Sequence, residues 1–296
     1  MNILLSNFSL EGVGGTEKWV FYTAKELVRL GHSVSVFTTK TGITSGELEH
    51  FCTVITELPT DKFDLKILNH NLCEQVLRVI PGTPIFTSHG PLNPLEQPAP
   101  GAGLYVAVSK EIQTHHTNLG YSSRVITNGI DLEDYQPTET NNKRPMVFSG
   151  CKSVGATRML VDACKNLGYD LTSVHYTQRP VWDMASLIGA ADIVVGCGRT
   201  AREALACGKP VLVFDGRRNE PRADGWITAL NVNKLEEKNF ACRTRWEYWN
   251  LKRLEEELMF VPEADWCRAW AEENADIRKK VQEYLEYGNG VTDAVN

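Results

Sequence analysis

Two hydrophobic rhythms alternate along the first half of the chain. NILLSNF (2–8), HSVSVFTT (32–39), KFDLKILNHN (62–71), TPIFTSHG (83–90) and LYVAVS (104–109) are short apolar or alternating runs that end in loops or helix starts, and they read as strands. TEKWVFYTAKELVRLG (16–31) has apolar residues at helical spacing and stops at Gly31, which suits the left-handed position after a helix. Ser109 stands where it would cap the helix of KEIQTHH, and VITNGIDLEDYQP (125–137) reads as a strand and a tight Asn128-Gly129 turn. Strand–helix–strand alternation predicts a parallel sheet covered on both faces.

The polar segment PTETNNKRP (137–145) has no apolar periodicity and marks a domain boundary. A second α/β series follows: MVFSG, RMLVDACKNLG, DLTSVHY, VWDMASLIGAA, DIVVG, TAREALACG and PVLVFD. The pattern predicts an N-terminal Rossmann-like domain over 1–140, a second over 145–262, and a long amphipathic helix over 263–287, carried by the stretch ADWCRAWAEENADIRKKVQEYLEYG (264–288). Two doubly wound halves with a cleft between them would turn the carboxyl ends of their strands, and the loops there, toward each other.

Composition narrows the partners. The net charge is −6, and Glu255–Asn296 holds eleven acids against four bases, so the remainder is near neutral. This argues against strong non-specific nucleic-acid binding but leaves room for a local basic face. The eight cysteines include no Cys-x-x-Cys pair and no zinc-like His/Cys spacing, which reads as idle thiols in a reducing cytosol. Met1 leads straight into a strand with no leader-like segment, and no apolar run has the ~18 residues of a membrane span. A cytoplasmic protein is expected, free or at a membrane surface.

The chemistry concentrates in loops after strands. Gly12, Gly14 and Gly15 follow the first strand and precede a helix; such glycines let backbone amides approach an anionic or hydroxyl-rich ligand, and equally suit a tight βα turn. A dinucleotide fingerprint fits poorly, because its third glycine would fall at Glu17. His70 and His89 end successive strands, and Asp131 follows the Asn-Gly turn. GCGRTAREALACGKPVLVFDG (196–216) sets Gly196, Gly198 and Arg199 ahead of a short alanine-rich helix. Thr200 and Glu203 have capping-box spacing; alternatively, backbone amides, Thr200 and Arg199 form a diphosphate seat.

Three segments carry a resemblance. GVGGTEKWVFYTAKELVRLGHSVSVFTT resembles the opening of retaining, family-4-type glycosyltransferases of the GT-B fold. VAVSKEIQTHHTNLGYSSRVITNGIDLEDYQP resembles the close of their first domain, and AADIVVGCGRTAREALACGKPVLVFDG resembles their donor-binding segment. The resemblance implies two Rossmann-like domains facing a cleft, a last helix crossing back to the first, and sugar transfer from a nucleotide-diphosphate sugar, a UDP-sugar first among them. That donor would be a co-substrate, with no tightly bound cofactor and no obligatory metal. Glu203 would accept from the ribose hydroxyls, and Gly14, Lys152, Arg158, Gly198, Arg199 and Thr200 would complete the donor site. Gly15, Glu17 and His89 would serve the reacting centre, His89 by orienting the sugar. Val195 stands where the family has a further glutamate, and Gly155 where it has a lysine.

The acceptor is open: a glycan, a lipid-linked sugar or DNA. Its candidates are His70, Asp131 and the basic-aromatic stretch CRTRWEYWNLKR with Arg245, Trp246 and Trp249, to which Arg217, Arg218 and Arg222 add charge. That stretch reads equally as a helix packing an aromatic stripe. Alternative functions are a nucleotide-sugar epimerase or hydrolase of the same fold, and a nucleotide- or DNA-binding protein without catalysis.

Overall fold

The computed structural model describes residues 1–174, 180–217 and 220–292. His175 and Tyr176, the expected end of a strand, and Arg218 lie outside the described residues. The chain forms two compact units, Met1–Gly129 with Ile277–Asn296, and Ile130–Asp276.

The first unit runs β1 (Asn2–Ser6), α1 (Gly15–Arg29), β2 (Ser33–Phe37), α2 (Ile43–Leu48), β3 (Thr53–Ile55), β4 (Leu65–Asn69), α3 (Asn71–Leu77), β5 (Thr83–Ser88), β6 (Leu104–Ala107), α4 (Lys110–Asn118) and β7 (Arg124–Val125). Its strands form one sheet in the order β3-β2-β1-β4-β5-β6-β7, parallel throughout. Ile3, Leu4 and Leu5 on central β1 are wholly buried, which is why this strand is a continuous apolar run rather than an alternating one. α1 ends as read, with Gly31 at φ 82°, and the Ser109 hydroxyl caps α4 by accepting from Ile112 N.

The second unit runs β8 (Met146–Ser149), α5 (Val154–Leu167), β9 (Asp170–Ser173), α6 (Met184–Ala190), β10 (Ile193–Val195), α7 (Arg199–Ala206), β11 (Val211–Arg217), β12 (Glu220–Trp226), α8 (Val232–Glu236), β13 (Glu247–Tyr248), α9 (Leu251–Leu258) and α10 (Cys267–Asn274). The sheet order is β13-β12-β11-β10-β8-β9, with β9, β8, β10 and β11 parallel and β12 and β13 antiparallel at the edge. Val147, Val195, Leu212, Phe214, Trp226 and Trp249 share its core.

Three features differ from the sequence reading. The units divide at Gly129/Ile130 rather than within the polar segment, because that segment is tied down in the second unit: Asn142 Nδ2 and Met146 N donate to Asp192 Oδ2, each at 2.9 Å. Residues 242–250 are not a helix but an irregular loop and the short strand β13. The expected long terminal helix is two, α10 and α11 (Ile277–Thr292). It breaks where Ile130 N donates to Ala275 O at 2.7 Å. α11 belongs to the first unit, where its Tyr284 meets the Trp19 ring edge-on at 5.7 Å and its hydroxyl lies 3.2 Å from that of Thr87.

Each sheet has one point where the chain reverses direction across it. In the first unit β2 and β3 lie on one side of β1 and β4 on the other; in the second, β9 and β10 flank β8. Loops leaving the carboxyl ends on either side of such a point splay apart and leave a crevice suited to a ligand.

Candidate functional site

In the second unit the switch point lies between β8 and β10, and the loops after them contain glycines for a steric reason. A Cβ on Gly150 would stand 2.8 Å from Thr200 Oγ1, and one on Gly196 would stand 3.0 Å from its Cγ2. The two glycines thus form a slot that seats Thr200 in the first turn of α7. Gly198 is the N-cap, at φ 61° and ψ −121°, with no side-chain cap on the helix. An L side chain is strained there. The Gly198 amide donates to Phe240 O at 2.9 Å, and Phe240 is fixed by Arg202, a fully buried side chain whose guanidinium lies 5.1 Å from the ring and 2.6 Å from Glu236 Oε1.

The expected capping box does not form. The helix starts two residues earlier than its motif requires, so Thr200 lies within the first turn and Glu203 in the middle of the helix. Glu203 Oε1 instead accepts from Arg199 Nε at 2.7 Å and from the Tyr135 hydroxyl at 2.8 Å. All three residues are nearly or fully buried. Tyr135 was not singled out in the sequence, and nothing in the pattern there marks it. It is presented by a turn in which Asp131 Oδ1 accepts from Glu133 N at 2.9 Å. Arg268 holds that turn by donating to Tyr135 O and Ala206 O at 2.7 and 2.9 Å. Asp131, an acceptor candidate by sequence, therefore has a turn-forming role. Lys152 and Arg158 are exposed on the loop after β8 and on α5, and exposed Gly155 lies in the first turn of α5.

In the first unit, the switch point lies between β1 and β4. Gly14 is the N-cap of α1 and Gly15 its first residue. Glu17 folds back so that its carboxylate fills the space that a side chain on Gly14 would need, and Thr16 Oγ1 donates to Glu17 Oε2 at 2.9 Å. This places a carboxylate at the positive end of α1. His89, just after β5, lies edge-on to Trp19 at 5.2 Å, and its Nε2 is 3.1 Å from Asn69 Oδ1. Asn69 Nδ2 and Asn7 Oδ1 are buried without hydrogen-bond partners, an arrangement that is costly unless a ligand or water satisfies them.

His70 is in a different setting from His89. It is buried at φ 66°, and its Nδ1 accepts from Phe8 N at 3.1 Å. Burial pushes its pKa down to about 4. The neutral ring ties β4 to the loop after β1, a role for the backbone rather than for a ligand.

The basic-aromatic stretch divides likewise. Trp249 is buried and stacks on Phe214 at 6.1 Å, so it is core and not a platform. Arg245 is exposed and Trp246 half-buried. Their amides, with that of Thr244, point at Asp224 Oδ1, and the Arg222 guanidinium lies 5.5 Å from the Trp246 ring.

Among the described residues no group of three or more His, Cys, Asp or Glu side chains is placed to share a metal ion. No helix among them is long and apolar enough to cross a membrane.

Neither a protein-family model nor a curated protein sequence matches this chain. Solved structures do. Anabaena HepE in complex with UDP-glucose is similar with a TM-score of 0.62 and 17% identity, over 97% of this chain and 99% of that one. AviGT4, a glycosyltransferase involved in avilamycin A biosynthesis, matches with a TM-score of 0.56 and 14% identity over 98% of both chains. WaaG, a glycosyltransferase involved in lipopolysaccharide biosynthesis, gives a TM-score of 0.54 and 11% identity over 97% of this chain and 100% of that one. The fold is therefore GT-B, two Rossmann-like units in one chain, across nearly the whole sequence.

Proposed function

We propose that the protein is a glycosyltransferase that moves a sugar from a nucleotide-diphosphate sugar, a UDP-sugar by preference, to a glycan or lipid-linked acceptor with retention of configuration. The observation that carries this reading is the first turn of α7. It presents an uncapped helix N-terminus, Thr200 seated between Gly150 and Gly196, and Glu203 held by Tyr135 and Arg199, at the switch point of a doubly wound sheet. A helix N-terminus favours a diphosphate, and a fixed carboxylate suits ribose hydroxyls. Anabaena HepE, of the same fold, has been solved with UDP-glucose and with UDP and glucose.

Bond cleavage at the anomeric carbon leaves charge on the departing diphosphate. The α7 N-terminus, with Lys152 and Arg158, meets that charge. Arg199 serves by holding Glu203, which its Nε already engages. The departing phosphate takes the acceptor proton, so no protein base is required. Gly14, Gly15 and Glu17 contact the sugar, and His89 orients it. The protein would work in the cytoplasm, with access to a membrane surface for a lipid-linked acceptor.

A second reading, a binding protein without catalysis, is favoured by one observation. Val195 stands where the resembling enzymes carry a further glutamate, and it is fully buried in β10. The test is a thermal-shift and turnover screen with UDP, GDP, ADP, dTDP and their sugars. A ligand bound by the native state alone raises the midpoint. Binding with release of free nucleotide supports the transferase, binding without any turnover supports the second reading, and no binding defeats both.

A further inference from the structure

We infer that Asp215 is a positioning residue for diphosphate binding, an internal anion that ties the loops after β8 and β10 to strand β11. This inference rests on the donor site proposed above. Asp215 is fully buried in the C-terminal half of β11. Its Oδ1 accepts from Lys152 N at 3.0 Å, Ser153 N at 3.1 Å and Gly216 N at 2.7 Å. Its Oδ2 accepts from Cys197 Sγ at 3.5 Å. Lys152 and Ser153 belong to the loop after β8, and Cys197 to the turn before α7.

Two packing contacts follow from this anchor. Ser153 sits where a side chain on Gly216 would be, so only glycine lets the loop after β8 lie against β11. Ser153 then caps α5, its hydroxyl accepting from Ala156 N. On the other side, Cys197 lies between Gly196 and Gly198, the glycines that seat Thr200 and start α7. One carboxylate therefore sets the start of α5 directly and reaches the turn that starts α7. It also occupies the amides of Lys152, Ser153 and Gly216, which could otherwise receive an anion. The diphosphate is accordingly assigned to the first turn of α7 and not to the amides after β8.

The test titrates UDP, GDP, ADP and dTDP, and their nucleosides, into the unaltered chain, Asp215→Asn and Asp215→Ala. Asp215→Ala should bind the preferred diphosphate about 10-fold or more weakly, with the nucleoside within about threefold, whereas Asp215→Asn keeps an acceptor oxygen and stays within about threefold for both. Amide exchange in the unaltered protein gives a readout independent of how the variants fold. The Lys152, Ser153 and Gly216 amides should be slow without ligand and unchanged on adding diphosphate. Equal loss of nucleoside and diphosphate, no loss in Asp215→Ala, or amides that become protected only with diphosphate would each overturn this role while leaving the donor site standing. If none of the four diphosphates binds the unaltered protein, the proposed function falls, and this role with it.

Discussion

The Tyr135 hydroxyl and Arg199 Nε donate to the same oxygen of Glu203, at 2.8 and 2.7 Å. Two donors on Oε1 fix the plane of the carboxylate and hence the direction of Oε2. One donor is distant in sequence, from the turn at 131–135, and the other is local, the first residue of α7. The pair therefore joins the start of the second unit to its proposed donor helix.

Glu203→Gln should weaken nucleotide binding by about 1–3 kcal/mol, the range for a hydrogen bond to a charged group. Tyr135→Phe should cost about 0.5–1.5 kcal/mol of stability and lower nucleotide affinity less than Glu203→Gln does. Calorimetric titration and urea unfolding of both variants separate the two effects. Normal affinity in Glu203→Gln with a lowered unfolding midpoint would reduce the carboxylate to a structural tie.

Gly150→Ala should act through Thr200. The added methyl would stand 2.8 Å from Thr200 Oγ1, closer than packed atoms tolerate, so the first turn of α7 must shift. Overpacking of this kind costs about 1–3 kcal/mol. Thr200→Ala in the same chain removes the colliding atoms and should restore part of that stability, though not nucleotide affinity. Stability losses that simply add would show that the two residues do not touch.

The centre of the first unit was readable in the sequence because β1 and β4 are buried on both faces and the helix ends carry the expected signals, Gly31 and Ser109 among them, whereas the short, half-exposed β3 left no such pattern. β12 was not. Its residues EPRADGW include a proline, a glycine and two acids, and Asp224 sits opposite a register irregularity on β11. Only pairing with β11 makes it a strand. The loop after α8 was equally hidden: Asn239, Phe240, Cys242 and Trp246 all adopt positive φ, which side-chain chemistry does not announce. Within the site, the spacing of Thr200 and Glu203 fits a capping box, yet left-handed Gly198 starts the helix two residues sooner. Asp215 and Tyr135 escaped because their partners are backbone amides and a distant carboxylate, which leave no local pattern.

Stability should fall as the solution is acidified from pH 6.5 toward 4. His70 and His116 are both buried, and burial lowers each to about 4. Ser88 Oγ donates to Glu96 O and so accepts from His116 Nε2 at 2.8 Å, while His116 Nδ1 is buried without a partner. Both rings are neutral in the native state and take up protons in the unfolded chain first. Their contribution is fully present above the unfolded value and is lost as pH falls through the folded one. It amounts to at most roughly 3 kcal/mol for each ring. Urea unfolding across this range checks the slope, and His116→Gln should flatten it by about half.

The last expectation concerns His89, which separates a catalyst from a binder. Its Nε2 contact with Asn69 Oδ1 and its edge-on contact with Trp19 hold the ring at the carboxyl end of β5. Asn69 is itself fully buried, so the ring is preorganised rather than free to rotate in solvent. A group fixed before the sugar arrives contributes to the transition state without reorganising. His89→Ala should therefore lower turnover on the order of 10²-fold. Nucleotide affinity should hardly change, because the nucleotide is assigned to the second unit. Asn69→Ala, which leaves the imidazole in place but loosens it, should lower turnover less, and in kcat more than in KM. Parallel loss of stability and activity in both variants would mark His89 as structural. Unaltered turnover in His89→Ala would remove it from the reaction altogether.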